Sequence, residues 1–435
     1  MIEITVVGAG LAGLTAALRL AEAGYPVRVH ERHPHPGGLA RVFTVGGEPL
    51  EVFYHHLFTS DTAYVELAEE LGLANAIQWL PSRMGIWTRG RLWDFGTPAS
   101  LLRFRPLGPL DKVRFVLSTL LLQRARKPDP FEDVPASEWL QRHQGKRVWE
   151  TVWGPLFHQK FADHADRVAM VWLWRKLYLR GRSRTRSGMG ERLGYMEGSF
   201  ARFTLELASR VESLGGTIRL GDPVRRIERD DDGFRVVTRG GEHRAGRVLC
   251  ALPVPDYLEV AGHLLPPGEL EKLRQLRATG ALCTILEMDR SLTPYYWLNV
   301  ADPEMPFGGL IEHTNYIPRE RYGGTRILYI SNYLLPEDPL MEASADSVLE
   351  LYLPALQRIN PDFDRNWITG LHHFRAHYAQ PIVLPGYRKL IPDFRAPVPG
   401  LYLCSMAQIY PEDRGQNYAV EYGQRVARTM LEDLP

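Results

Sequence analysis

Gly8, Gly10 and Gly13, followed about twenty residues later by Glu31, are the residues whose types and spacing point most directly to chemistry. They lie in "VVGAGLAGLTAALRLAEAGYPVRVHER", which runs from Val6 to Arg32. Gly8 permits a tight turn, Gly10 lets an anion reach the backbone, and Gly13 lets a helix pack closely. The helix start at Leu11 and Ala12 offers free N–H groups to a diphosphate. Glu31 can accept both hydroxyls of an adenosine ribose and repels a 2′-phosphate, although the neighbouring Arg32 keeps a small NADP alternative open. Gly37 and Gly38, with Leu39, Ala40 and Arg41, make a second turn suited to close backbone approach just past that acid.

Other polar groupings are compatible with chemistry or with plain structure. His55 and His56 are adjacent in "EVFYHHLF"; on a strand they point to opposite faces, so at most one faces a site. Glu312, His313, Thr314 and Asn315 follow an apolar run, and they either line a cavity or form a well-bonded strand end. Arg375, His377, Tyr378 and Gln380 cluster in "FRAHYAQP", with His372 and His373 as weaker candidates. No P-loop lysine motif, H-E-x-x-H pair, G-x-S-x-G elbow or zinc cysteine set is present, so no metal ligands are expected.

The elements that must hold the glycines are legible around them. Ile2 to Val7 is β-branched and reads as a buried strand, Leu14 to Ala23 has helical period, and Gly24 with Pro26 ends it. Val27 to Glu31 reads as the next strand. This strand, glycine turn, helix and strand order is the context a dinucleotide site demands.

The 435 residues carry a formal charge of +1, which gives no pull towards nucleic acid. Three scattered cysteines suggest a reducing, cytoplasmic setting without a disulfide framework. The apolar N-terminus lacks a basic n-region, so a signal peptide is not expected. The greasiest stretch, Phe115 to Leu122, falls short of the ~18 residues a bilayer span requires. It reads as a core helix, with a peripheral position on a membrane surface as the alternative.

Glu31-Arg32 followed by Pro36-Gly37-Gly38 resembles the flavin-containing amine oxidase and protoporphyrinogen oxidase superfamily, which includes carotenoid desaturases and UDP-galactopyranose mutase. "PLFHQKFAD", "IEHTNYIP" and "IYPEDRGQNYAVEYG" are similar to a bacterial subgroup described as protoporphyrinogen-oxidase-like, a match that names no substrate. The resemblance implies FAD and an α/β fold. A Rossmann-like FAD-binding domain, with parallel sheet and β-meander, is expected from residues 1–80, 194–255 and 385–435. A second α+β substrate domain follows from 81–193 and 256–384, with a helical insert at about 100–192. It further implies that Val224 lies against the adenine, and that the helix start at Gly415, Gln416, Asn417 and Tyr418 faces the flavin. One departure stands out: the superfamily's Gly-Asp is replaced by Ser405-Met406, and the nearest acid is Asp413.

By the same resemblance His56, which matches the histidine before x-Phe in the mutase, is the flavin-adjacent member of its pair. Tyr378 is in a place that reaches flavin or substrate, while His313 and Asn315 are further catalytic candidates. No cysteine follows Cys404 in the final loop, so FAD is expected to be non-covalent. The implied activity is hydride transfer between a small-molecule substrate and the flavin, with an unidentified electron acceptor. The substrate is bulky, lipophilic or glycosyl-linked. The alternatives are a redox-neutral flavoenzyme of the sugar-nucleotide mutase type and a non-catalytic nucleotide-binding subunit. The arginine-rich run 180–186 reads as a solvated loop or as an anchor for an anionic substrate group.

Overall fold

A computed structural model describes residues 2–183 and 192–434, with side chains described outside 180–191. The arginine-rich run 180–186 therefore falls outside the described side chains. A five-stranded, fully parallel sheet has the order Leu401–Leu403, Arg247–Cys250, Ile4–Val7, Val27–His30, Thr217–Arg219. Its central strand Ile4–Val7 is buried along its whole length, which suits a β-branched run covered on both faces. A three-stranded antiparallel meander, Val224–Asp230, Gly233–Thr238 and Gly241–Ala245, leads back into the strand Arg247–Cys250. The α/β Rossmann-like class expected from the sequence is thus observed.

A second sheet has seven strands in mixed orientation. Its order is Ile368–Pro381, Ala278–Met288, Arg326–Leu334, Gly309–Glu312, Trp297–Val300, Met84–Thr88, Arg91–Asp94. Only the pairing of Trp297–Val300 with Met84–Thr88 is parallel. Ala278–Met288 lies between two long partners and is buried at every position but one. Helices fill the stretch from Pro98 to Ser183, the longest being Pro109–Arg124 and Met170–Ser183.

Two helices cover the parallel sheet and pack on each other, Leu11–Glu22 and Gln416–Glu432. Their approach is close enough that a Cβ on Gly423 would stand 2.5 Å from the Ala12 carbonyl oxygen. The first helix begins three residues earlier than its apolar period suggests, because Gly10 is its N-cap and the glycine turn is itself part of the helix entry. Glu51 ties the hairpin Val42–Val45/Glu48–Glu51 to strand Arg192–Met196 and to the seven-stranded sheet. Its buried carboxylate accepts from Tyr195 Oη (2.8 Å), Ser199 Oγ (2.7 Å) and the Phe200 N–H (2.8 Å), while its own carbonyl accepts from Tyr329 Oη (2.7 Å). Burial pushes the Glu51 carboxyl up, and the three donors offset part of that rise.

Candidate active site

The glycine turn leaves the end of strand Ile4–Val7 and enters the first helix. A Cβ on Gly13 would sit 2.0 Å from the Gly8 carbonyl oxygen, so this residue must be glycine for the helix to pack down. Gly10 is different. A Cβ there would meet nothing nearer than the Gly38 Cα at 3.9 Å, which leaves its face open for a ligand. The second glycine pair closes on the first: the Gly37 N–H donates to the Ala9 carbonyl at 2.8 Å, with Gly37 at φ 117°. Leu39 and Ala40 form the short turn that follows, and Arg41 Nη1 donates back to the Gly38 carbonyl at 3.1 Å.

Glu31 points at this turn. One carboxylate oxygen accepts the Ala9 N–H and the other the His33 N–H, both at 2.9 Å. Arg32 is turned away, exposed and 3.3 Å from Asp256. The Glu31 carbonyl accepts from the Asp222 N–H, and the Asp222 carboxylate is 3.0 Å from His30 Nδ1. These bonds set the start of the meander, with Val224 half-buried, beside the end of strand Val27–His30.

The start of the last helix is the second place where backbone is left open. Gly415 faces open space, with nothing within 4 Å of a Cβ placed on it. Gln416 is 7% exposed, yet both its amide oxygen and nitrogen lack a partner. An unmade bond on a buried polar group costs about 1–3 kcal/mol, so the side chain is poised for a polar ligand. Asn417 is committed instead, its Oδ1 accepting the Tyr64 N–H at 3.0 Å. Tyr418 is half-buried, and burial raises its phenol. The open faces of Gly10 and Gly415 and the partnerless Gln416 fit an extended dinucleotide cofactor.

Ser405-Met406 replaces the expected Gly-Asp by a self-contained turn. The Ser405 N–H donates to Gln408 Oε1 at 2.7 Å, and Gln408 Nε2 holds the Leu403 and Asp393 carbonyls. Asp413, the nearest acid, faces the helical insert rather than this turn. It accepts from Lys176 Nζ (2.6 Å), Gln380 Nε2 (2.9 Å) and Trp172 Nε1 (3.1 Å), and Lys160 Nζ lies at 3.6 Å. Burial works to raise the Asp413 carboxyl, but Lys160, Lys176 and Arg414 outweigh it and hold the group well below its usual range. Next to it, Arg414 donates to Tyr333 Oη at 2.7 Å, and its Nε has no partner. Tyr54 Oη joins this group, 3.0 Å from Ser331 Oγ and 3.2 Å from Tyr333 Oη.

Sequence reasoning missed this cluster as a unit, although both ends lie in stretches already singled out. Lys160 belongs to "PLFHQKFAD" and Asp413-Arg414 to "IYPEDRGQNYAVEYG". Lys160 and Lys176 share a single carboxylate, while Glu412 pairs with Arg175 at 2.7 Å. With Arg414, the described side chains leave a surplus of positive charge beside the helix start at Gln416.

Other candidates have different surroundings. The strand expected at the histidine pair ends at Glu51, so His55 and His56 are on a loop and strand alternation does not apply. His55 Nδ1 binds the Phe53 carbonyl at 2.6 Å, and burial with the nearby Arg414 charge lowers the ring to about 4. His56 sits edge-on to Phe58, Tyr296 and Trp297, with Tyr296 Oη 3.5 Å from Nδ1. Tyr378 is on the edge strand Ile368–Pro381 with its hydroxyl buried and without a partner. His313 and Asn315 are both hydrogen-bonded within their own neighbourhood. His313 is 3% exposed, bonds Tyr322 Oη at 2.8 Å, and is lowered to about 3 by burial and the Arg321 charge. Asn315 Nδ2 ties the Thr293 and Tyr295 carbonyls at 2.7 and 2.9 Å.

The profile of the family described as "Flavin containing amine oxidoreductase" matches residues 11–431. The chain belongs to that family. Among curated relatives, AofH of Mycobacterium tuberculosis, provisionally named a flavin-containing monoamine oxidase, is 25% identical over 292 residues. That match covers 62% of this chain and 64% of AofH. The 15-cis-phytoene desaturase of Narcissus pseudonarcissus is 23% identical over 99% of this chain and 80% of its own. Among solved structures, an oxidoreductase from Methanosarcina mazei superposes with TM-score 0.74 at 17% identity, covering 98% of this chain and all of that one. Putrescine oxidase bound to putrescine gives 0.71 at 18% identity over 99% of both chains. Reduced UDP-galactopyranose mutase gives 0.74 at 16%, covering 99% of this chain and 94% of its own. Membership thus places the chain in a family of flavin-containing amine oxidoreductases, and the structural likenesses establish its fold.

Proposed function

We propose that this protein is an FAD-dependent oxidoreductase whose flavin is held non-covalently and exchanges a hydride with a substrate C–H bond. The observations that carry the reading are the unfilled space beside Gly10 and Gly415 and the buried Gln416 amide that lacks partners. When bound, FAD supplies the two-electron chemistry. The amides at Leu11 and Ala12 bind its diphosphate, Glu31 its ribose, and Gln416 a polar edge of the cofactor. Val224 lies against the adenine, and the second glycine pair with Arg41 lines the opposite wall. Cys404 is buried, and burial pushes its thiol up to about 12, which disfavours the thiolate that a covalent anchor would use.

At the substrate side, Lys160, Lys176 and Arg414 bind and orient an anionic group, and the phenols of Tyr54 and Tyr333 wall the same space. His56 lies at the aromatic end of the loop that carries Tyr54. Purified protein loaded with FAD should show flavin absorption that bleaches with dithionite or substrate and returns with an acceptor. A colourless protein that refuses added FAD defeats the reading.

The cation surplus also favours a second reading, a redox-neutral reaction on a glycosyl diphosphate, whose two negative charges match Lys160, Lys176 and Arg414 once Asp413 is set against them. That reading requires turnover of reduced enzyme with no acceptor consumed. Strict dependence on an acceptor excludes it.

A further inference from the structure

Seven of the eleven exposed large aliphatic side chains among the described residues fall between Leu102 and Leu121. Five of them, Leu110, Val113, Leu117, Leu120 and Leu121, recur at helical spacing on Pro109–Arg124, with Leu117 63% and Leu110 61% exposed. The opposite face of the same helix is already used. Phe115 stacks on Trp153 with centroids 5.8 Å apart, and Ser118 and Leu122 are buried. The core-helix expectation for Phe115 to Leu122 therefore holds on one side only. The helix is apolar on its inner face and again on its outer one, a pattern that calls for cover from outside the chain.

The charge around the stripe says what that cover is. Arg103, Arg105, Arg114, Arg124, Arg126 and Lys127 are exposed along and beyond it. Among residues 98–127 the only acid is Asp111, which is spent on the Gly108 N–H at 3.0 Å. We infer that the outer face of Pro109–Arg124 docks on an anionic lipid bilayer, its leucines and valines entering the acyl boundary and its arginines contacting headgroups. A second copy of this chain is a poorer occupant, because two-fold pairing would bring the same arginines together across the interface. A protein partner is also disfavoured. The exposed set is purely aliphatic, whereas interface hot spots draw on Trp and Tyr. No helix among the described residues is long and apolar enough to cross a membrane, so the contact is peripheral.

The test is co-sedimentation of the FAD-loaded protein with vesicles of phosphatidylglycerol and phosphatidylcholine, against vesicles of phosphatidylcholine alone. Binding is expected to the anionic vesicles only, and to weaken in high salt. The double variant Leu117→Glu, Leu121→Glu, on the exposed face, should keep its melting temperature and flavin absorption yet bind about tenfold more weakly or worse. Equal binding by the variant, or no vesicle binding by the parent protein, overturns the inference. So does a parent dimer in sedimentation equilibrium that the same variant dissociates while vesicles recover nothing.

Discussion

Replacing Gly10 and Gly13 one at a time separates folding from cofactor binding, because the two glycines exist for different reasons. A Cβ on Gly13 would stand 2.0 Å from the Gly8 carbonyl oxygen and 3.1 Å from the Ala251 Cβ. The first contact is with backbone at the end of a buried strand, so no side chain can rotate away. Gly13→Ala must lift the helix from the sheet and is expected to cost about 3 kcal/mol or more, the upper end for an overpacked core. Gly10→Ala adds the same methyl group where the nearest protein atom is 3.9 Å away. Its cost in the absence of flavin is expected to stay within about 1 kcal/mol, the difference between glycine and alanine at an N-cap. The methyl group would instead occupy the space claimed by the diphosphate. A loss of about 3 kcal/mol in flavin binding corresponds to a Kd raised more than a hundredfold. The assay is urea unfolding of the flavin-free proteins, paired with fluorescence titration of FAD. Unchanged FAD affinity in Gly10→Ala refutes the placement of the cofactor. Ordinary stability in Gly13→Ala refutes the packing argument.

Four further outcomes follow from the buried polar groups. Asp413→Asn leaves Lys160 and Lys176 without their shared carboxylate. It should cost about 2 kcal/mol in urea unfolding, less than the ~3–5 of a wholly buried pair because both lysines keep some exposure. Lys160→Met in the same assay should be close to neutral, since burial already lowers that ammonium. Glu51→Ala strands three buried donors and should cost about 3–5 kcal/mol; a melting curve within a degree of the parent would contradict its role in anchoring Tyr195, Ser199 and Phe200. Asp61, whose carboxylate accepts the Phe58 N–H at 2.9 Å, is raised to about 7 by burial, so its contribution to stability is fully present below the unfolded value near ~4 and is lost as pH rises from there to 7. Between pH 4 and 7 the slope approaches ~1.4 kcal/mol per unit, and Asp61→Asn should flatten it. An unaltered pH dependence in that variant removes Asp61 as its source.

The parallel sheet and its glycine turn were legible because local rules and tertiary demands agree there. A β-branched run, a turn that needs glycine, an Ala-Leu helix and a Gly–Pro break each point to the same layer. The resemblance carried the meander and the helix start at Gly415, where periodicity alone is weak. His313 and Asn315 show the limit of reading polar residues as cavity lining. A strand end rich in polar side chains can bond its own neighbouring backbone, and nothing in "EHTN" distinguishes the two uses. The departure from strand at His55 and His56 was equally hidden, because Val52 to His56 has strand composition but lacks a pairing neighbour.

The cation cluster was out of reach for a different reason: its members are about 250 residues apart, and charge balance is a property of the folded neighbourhood. Its placement carries one mechanical consequence. Glu412 and Asp413 grip Arg175 and Lys176 of the helical insert, and three residues after Asp413 the same chain begins the helix at Gln416. Any shift of Met170–Ser183 therefore pulls on the segment that presents Gln416 to the cofactor. That helix packs against Pro109–Arg124, whose outer face is the apolar stripe. Contact at the stripe and the position of Gln416 are then separated only by packed helices and two carboxylate clamps. Coupling between them should show as a shift in flavin fluorescence when anionic vesicles are added. Glu412→Gln should diminish that shift without abolishing vesicle binding, and an undiminished shift would place the coupling elsewhere.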